Sequence, residues 1–154
     1  MIRSILIGAV SGARSLTPVA AVADAAALGF LPNGGRAARF LAHPLVRAGS
    51  AILAVGELAG DKMRRSPDRI VAPGLAARVL GGALTGAALA PRDERAAAAV
   101  LAAATAVGSA YLTFALRQRA MRRYGQSSTG LVEDAITIAG AILVAYRSNS
   151  RNRS

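Results

Sequence analysis

Residues 49–62, GSAILAVGELAGDK, place two carboxylates in a run otherwise greasy enough to enter a bilayer. Glu57 and Asp61 stand four apart, so a helix presents both on one face. An ionisable group on such a segment is costly unless it meets a partner, and by default it marks function. The rest of the chain is therefore expected to bring charged groups to this one. Arg14, Arg78 and the adjacent Glu133 and Asp134, each on another apolar segment, are the candidates.

Composition points to a membrane. Of 154 residues 53% are hydrophobic and the mean hydropathy is +0.40, more than a soluble domain of this size can hide from water. The net charge of +11 would suggest nucleic acid in a soluble protein. Here the arginines gather between apolar segments and in the tail, aromatics are 4% and Trp is absent, so nucleic acid is excluded as the expected partner and the lipid bilayer takes its place. With no Cys, disulfides, thiolate catalysis and zinc-thiolate sites are ruled out.

Hydropathy along the chain predicts an all-α polytopic bundle of about five transmembrane spans in one domain, residues 1–147, followed by a disordered polar tail over 148–154. The spans fall at about 4–31, 46–61, 73–90, 96–116 and 130–146. The first has the flanks of a signal peptide, but its apolar pattern resumes after Arg14, which favours an uncleaved span. At roughly 1.5 Å per residue it would be about 42 Å long against a hydrocarbon core of ~30 Å. A kink near Pro18 is expected, because proline cannot donate to the helix ladder and frees a carbonyl near Arg14. Residues 32–47, PNGGRAARFLAHPLVR, read as an interfacial connector with some helix, interrupted at Pro44, and residues 117–129 as a basic loop. Gly8 and Gly12, Gly56 and Gly60, and Gly82 and Gly86 are small-residue pairs that let helix backbones approach.

In a five-span topology Glu57, Asp61, Arg78, Glu133 and Asp134 fall in the half of the bilayer nearer the N-terminus, with Arg14 there or at the midplane. Ser11, Ser15, Thr17 and Lys62 are supporting polar residues around this cluster. Ser11, Arg14 and Pro18 share a helical face. An Arg-bearing span precedes a Glu-bearing one in each half, a hint of an internal repeat. Three readings of the cluster stand open. The arginines lock the bundle, the acids handle a proton or cation, or Arg14 and Arg78 recognise an anionic or polar ligand. Enzymatic chemistry is not expected: His43, the only histidine, lies in the connector with no acid fixed beside it. No spacing of ligands predicts a metal site or a cofactor.

Several of these stretches also carry a family resemblance. Gly12-Ala13-Arg14-Ser15-Leu16-Thr17-Pro18, Gly56-Glu57-Leu58-Ala59-Gly60-Asp61-Lys62 with Ser66-Pro67 and Arg69, Pro73-Gly74-Leu75-Ala76-Ala77-Arg78 with Gly82 and Gly86, and Leu131-Val132-Glu133-Asp134-Ala135 follow in this order over nearly the whole chain. Together they resemble the bacterial small integral membrane family filed as domain of unknown function 4126. One departure is Met63-Arg64-Arg65, which follows the Asp-Lys pair where the family has a proline. The resemblance implies a multi-pass protein of the bacterial inner (plasma) membrane and carries no activity with it. The expected function is transporter- or channel-like handling of a proton, ion or small polar solute; the alternative is an accessory or scaffold subunit of a membrane complex. A homo-oligomer suits either reading, because so short a chain encloses a pathway alone only with difficulty.

Overall fold

Small residues decide how the helices of this chain meet. The computed structural model describes residues 1–31, 35–60, 72–124 and 126–146, and within them every regular element is an α-helix. These are α1 (Ile2–Ala13), α2 (Leu16–Ala27), α3 (Arg36–Ala42), α4 (Pro44–Gly60), α5 (Ala72–Leu89), α6 (Arg95–Tyr124) and α7 (Gln126–Tyr146). Ala98, Ala102, Ala106 and Ala110 form a fully or almost fully buried stripe four residues apart on α6. Against it lie Gly8 and Gly12 of α1, and Gly82 and Gly86 of α5. A Cβ at Gly8 would fall 2.9 Å from the Ala102 Cα, and one at Gly86 would fall 2.8 Å from the Ala98 carbonyl oxygen. Nothing larger than glycine fits such close backbone contacts.

The contacts fix the direction of each helix. Gly8 meets Ala102 and Gly12 meets Ala106, so α1 runs parallel to α6, whereas Gly82 meets Ala106 and Gly86 meets Ala98, so α5 runs against it. Arg3 donates to the Val144 carbonyl, Val10 touches Gly140 and Arg14 pairs with Asp134, so α7 also runs against α1. Ser15 is bound to Glu57 while Asp24 is bound to both Arg47 and Tyr146. The far end of α2 therefore lies beside Tyr146, at the level of the N-terminus, and the chain has turned back on itself at Arg14 and Ser15. α5 and α7 pack against both arms of this hairpin, which touch each other little.

This corrects the long first span. In place of one kinked helix over 4–31 there are two 12-residue helices, Ile2–Ala13 and Leu16–Ala27, and they break at Arg14, whose backbone is extended at φ −144° and ψ 130°. Pro18 explains the position: it lacks the N–H that would bond to the carbonyl of residue 14, and its ring crowds that carbonyl. The break thus falls four residues before the proline. At its other end α2 stops at Gly29, whose φ of 75° suits glycine, with Phe30 N–H closing on the Ala25 carbonyl at 2.9 Å.

Three other boundaries bear on the expectations. His43 is extended ahead of Pro44, which opens α4, so the connector is interrupted where expected. The basic loop over 117–129 does not form as such: α6 continues to Tyr124 and α7 begins at Gln126. Arg, Gln, Met and Ala are good helix formers, and propensity prevails there over charge. The turn over 32–34, Asp61 and Lys62, and the tail over 148–154 lie outside the described residues.

Polarity is distributed inside out. Arg14 is 1% exposed and Arg78 6%, while Ile52 is 71% and Leu143 66% exposed. Large aliphatic side chains cover the outside of α4, α6 and α7, and alanine dominates the interior. Among the described residues two helices, α5 and α6 over Arg95–Arg122, are long and apolar enough to cross a membrane; α1 and α2 are apolar but shorter. Toward the end holding the N-terminus, Ile7, Val22, Leu41, Leu89 and Val144 belong to one buried apolar cluster.

Candidate functional site

A broken helix leaves backbone groups without intrahelical partners on both sides of the break. In this hairpin charged side chains from other helices take them up. The Glu57 carboxylate, from α4, accepts the Ser15 N–H and the Ser15 hydroxyl on Oε1 and the Leu16 N–H on Oε2, each at 3.0 Å. Glu57 therefore caps the positive end of α2 from a distance of more than forty positions in sequence. Arg78, from α5, donates from Nη1 to the Gly12 carbonyl at 2.5 Å and so covers the negative end of α1. Ser109 of α6 donates to the Ala9 carbonyl at 2.6 Å one turn earlier.

Ion pairs complete the layer. The buried Arg14 guanidinium meets Asp134 of α7 through Nη2, and Arg117 of α6 meets Glu133 at 2.9 Å. Arg14, Glu57, Arg78, Glu133 and Asp134 are thus brought to one level around the hairpin tip. That level lies at the end of the bundle away from the N-terminus, not in the half nearest it, because the first segment returns instead of crossing. Arg117 is an addition that sequence reasoning placed in a loop. Among the described residues it brings the formal count of the layer to three arginines against three acids.

The supporting residues divide. Ser15 takes part directly. Ser11 and Thr17, in the last turn of α1 and the first turn of α2, are buried with hydroxyls that have no hydrogen-bond partner. Elsewhere the threonines bond within their own helices: Thr85, Thr105, Thr113 and Thr137 each donate to the carbonyl four residues back, at 2.6–2.7 Å. Thr17 has no such recourse, because the residue four before it belongs to the other arm. A buried hydroxyl without a partner costs about 1–3 kcal/mol.

A second polar contact closes the opposite end. Asp24 pairs with Arg47 of α4 and accepts the Tyr146 hydroxyl at 2.5 Å, while Tyr146 packs on Phe30 with ring centroids 5.0 Å apart. Between α2 and α4 runs a cleft of about 610 Å³ lined by Ala20, Asp24, Ala27, Arg47, Ala48 and Ala51. Thr17 lies on the same helical face as Ala20, Asp24 and Ala27, one turn nearer the capped tip than Ala20. A second, mostly apolar cleft of about 330 Å³ lies between α6 and α7, with Arg117 and Glu133 in its wall. Among the described residues no three His, Cys, Asp or Glu side chains gather as a metal cage.

No family model, curated protein or solved structure matches the chain.

Proposed function

We propose that the chain is a multi-pass protein of the bacterial inner membrane, transporter- or channel-like, that moves a proton, an ion or a small polar solute past the hairpin tip. In this reading α4, α5, α6 and α7 cross the bilayer, four spans rather than five, and α1 and α2 form a re-entrant hairpin. Each arm, about 18 Å long, reaches little more than halfway through a ~30 Å core. The inside-out polarity supports residence in lipid, where aliphatic side chains face outward and buried charges pair.

The observation that carries the transport reading is the pair of helix ends at Gly12 and Ser15, held by Arg78 and Glu57 inside an apolar bundle. Discontinuous helices place concentrated partial charges deep in a membrane protein, and substrates and coupling ions bind at such ends. The chain reconstituted in liposomes should carry flux above empty liposomes, and Glu57→Gln should abolish its pH-coupled part while circular dichroism stays unchanged. A wild-type protein that is folded yet carries no flux would sink the proposal.

One feature favours the alternative, a scaffold or accessory subunit. Gly49 and Gly56 of α4 open onto space where a Cβ would meet nothing. A mid-helix glycine costs about 1 kcal/mol against alanine, which a close helix from a second copy or a larger complex would offset. On that reading Gly49→Leu should disperse an oligomer on size exclusion, and Glu57→Gln should alter assembly without changing any flux.

A further inference from the structure

We propose, building on the transport reading, that the start of α2 is the binding site of a small monovalent anion, and that ionised Glu57 stands in that site as the anion's substitute. Binding of the anion then requires a proton on Glu57, and the two travel together.

Three donors converge on the carboxylate: two successive backbone N–H groups and the Ser15 hydroxyl, all at 3.0 Å, at the end of a 12-residue helix. Such an array binds anions whatever molecule bears the charge. What fills it is not a neighbouring cap residue of α2 but a side chain of α4, and a carboxylic acid changes charge with pH. A protonated Glu57 accepts these donors poorly, and an anion of chloride or nitrate size replaces it on them.

The second observation is Thr17. Its hydroxyl sits in the same first turn, 7% exposed and without a partner, on the face of α2 that lines the cleft toward α4. It is a donor that the carboxylate does not use. Ser11, fully buried in the last turn of α1, is unpartnered in the same way. Thr85, Thr105, Thr113 and Thr137, within unbroken helices, each bond to their own backbone, so among these described threonines and serines the unused hydroxyls of Ser11 and Thr17 flank the helix break.

Charge balance decides between a proton-coupled and an uncoupled site. Among the described residues the charged groups of the layer beside Glu57 are Arg14 at the bend with Asp134 of α7 on it, Arg78 of α5, and Arg117 of α6 with Glu133 of α7. On α4 itself Arg47 is engaged with Asp24. A proton and an anion taken up together leave the charge of the tip layer as it was. Either one alone changes it by one unit inside an apolar bundle, which is costly. The step forms one O–H bond on the Glu57 carboxylate with a proton from water, and no electron changes hands.

The test uses the full chain in liposomes with a chloride gradient, read by a chloride electrode and an internal pH dye. An inward chloride gradient is expected to acidify the interior, and Glu57→Gln to cut proton movement at least tenfold while chloride flux loses its pH dependence. Thr17→Val should weaken chloride binding about tenfold. Independently of any variant, calorimetric titration of the wild type with chloride or nitrate should show binding at pH 5, with uptake of about one proton, that fades by pH 8. Flux of a cation or neutral solute without anion dependence would overturn the anion site and leave the transport reading standing. Absence of all flux in a folded protein would overturn both, and absence of anion binding at pH 5 overturns the anion site even where the variants do not fold.

Discussion

Arg14 and Asp134 are the residues on which the tip depends most. Taking one charge from a buried pair leaves the other uncompensated, so Arg14→Leu or Asp134→Asn should each destabilise the protein by about 3–5 kcal/mol. Replacing both with apolar side chains should recover most of that loss, as read by thermal unfolding in detergent. Much of this site was legible in the residues themselves. Arginines and acids on apolar segments must find one another, and Arg14, Arg78, Glu57, Glu133 and Asp134 do share a level. The partners were not legible. Glu57 and Arg78 meet backbone groups rather than each other's charges, because a helix break creates needs that side-chain bookkeeping does not count. Arg117 escaped because an arginine-rich stretch reads as a loop, although its residues favour helix. Asp24 lies on the first apolar segment and takes its partner from beyond the connector, which only the fold-back reveals.

At the scale of the helices, α1 is held by what is missing from its surface. Gly12→Val would set a branched side chain against the Ala110 backbone nitrogen, to which even a bare Cβ would come within 2.8 Å. It should separate α1 from α6 and lower the melting temperature, whereas Gly108→Val on the open side of α6, where a Cβ meets nothing, should change it little. Glycine pairs in α1 and α5 announced close packing, but sequence alone did not say that both meet the alanine stripe of α6. Their counterpart in α4 is not used in the same manner: Gly56 faces open space. The proline likewise marked a break without marking a reversal, since hydropathy is a scalar along the chain and holds no direction.

For the whole molecule, on the proposed membrane reading, the reversal changes the count of crossings. Met1 and Tyr146 belong to the same end of the bundle, as shown by Arg3 on Val144 and by Tyr146 on Asp24, whose helix returns there. Reporter domains fused to the two termini should therefore be found on one side of the membrane, whereas five crossings would separate them. Because the sequence has no cysteine, single cysteines placed at Ser15 and at Arg36 offer a clean labelling check: the tip should be shielded and α3 reachable from that same side.

The hairpin also has a consequence for how the protein is made. Its arms leave the ribosome before the helices that hold them, yet neither is long enough to be held by a bilayer as a crossing segment. The surfaces that receive them, the alanine stripe of α6 and Asp134 of α7, are synthesised later. A nascent chain stopped after residue 124 should leave α1 and α2 open to added protease, and completion of α7 should close them off. α1 and α2, made before the helices around them, would then find their place only after those helices.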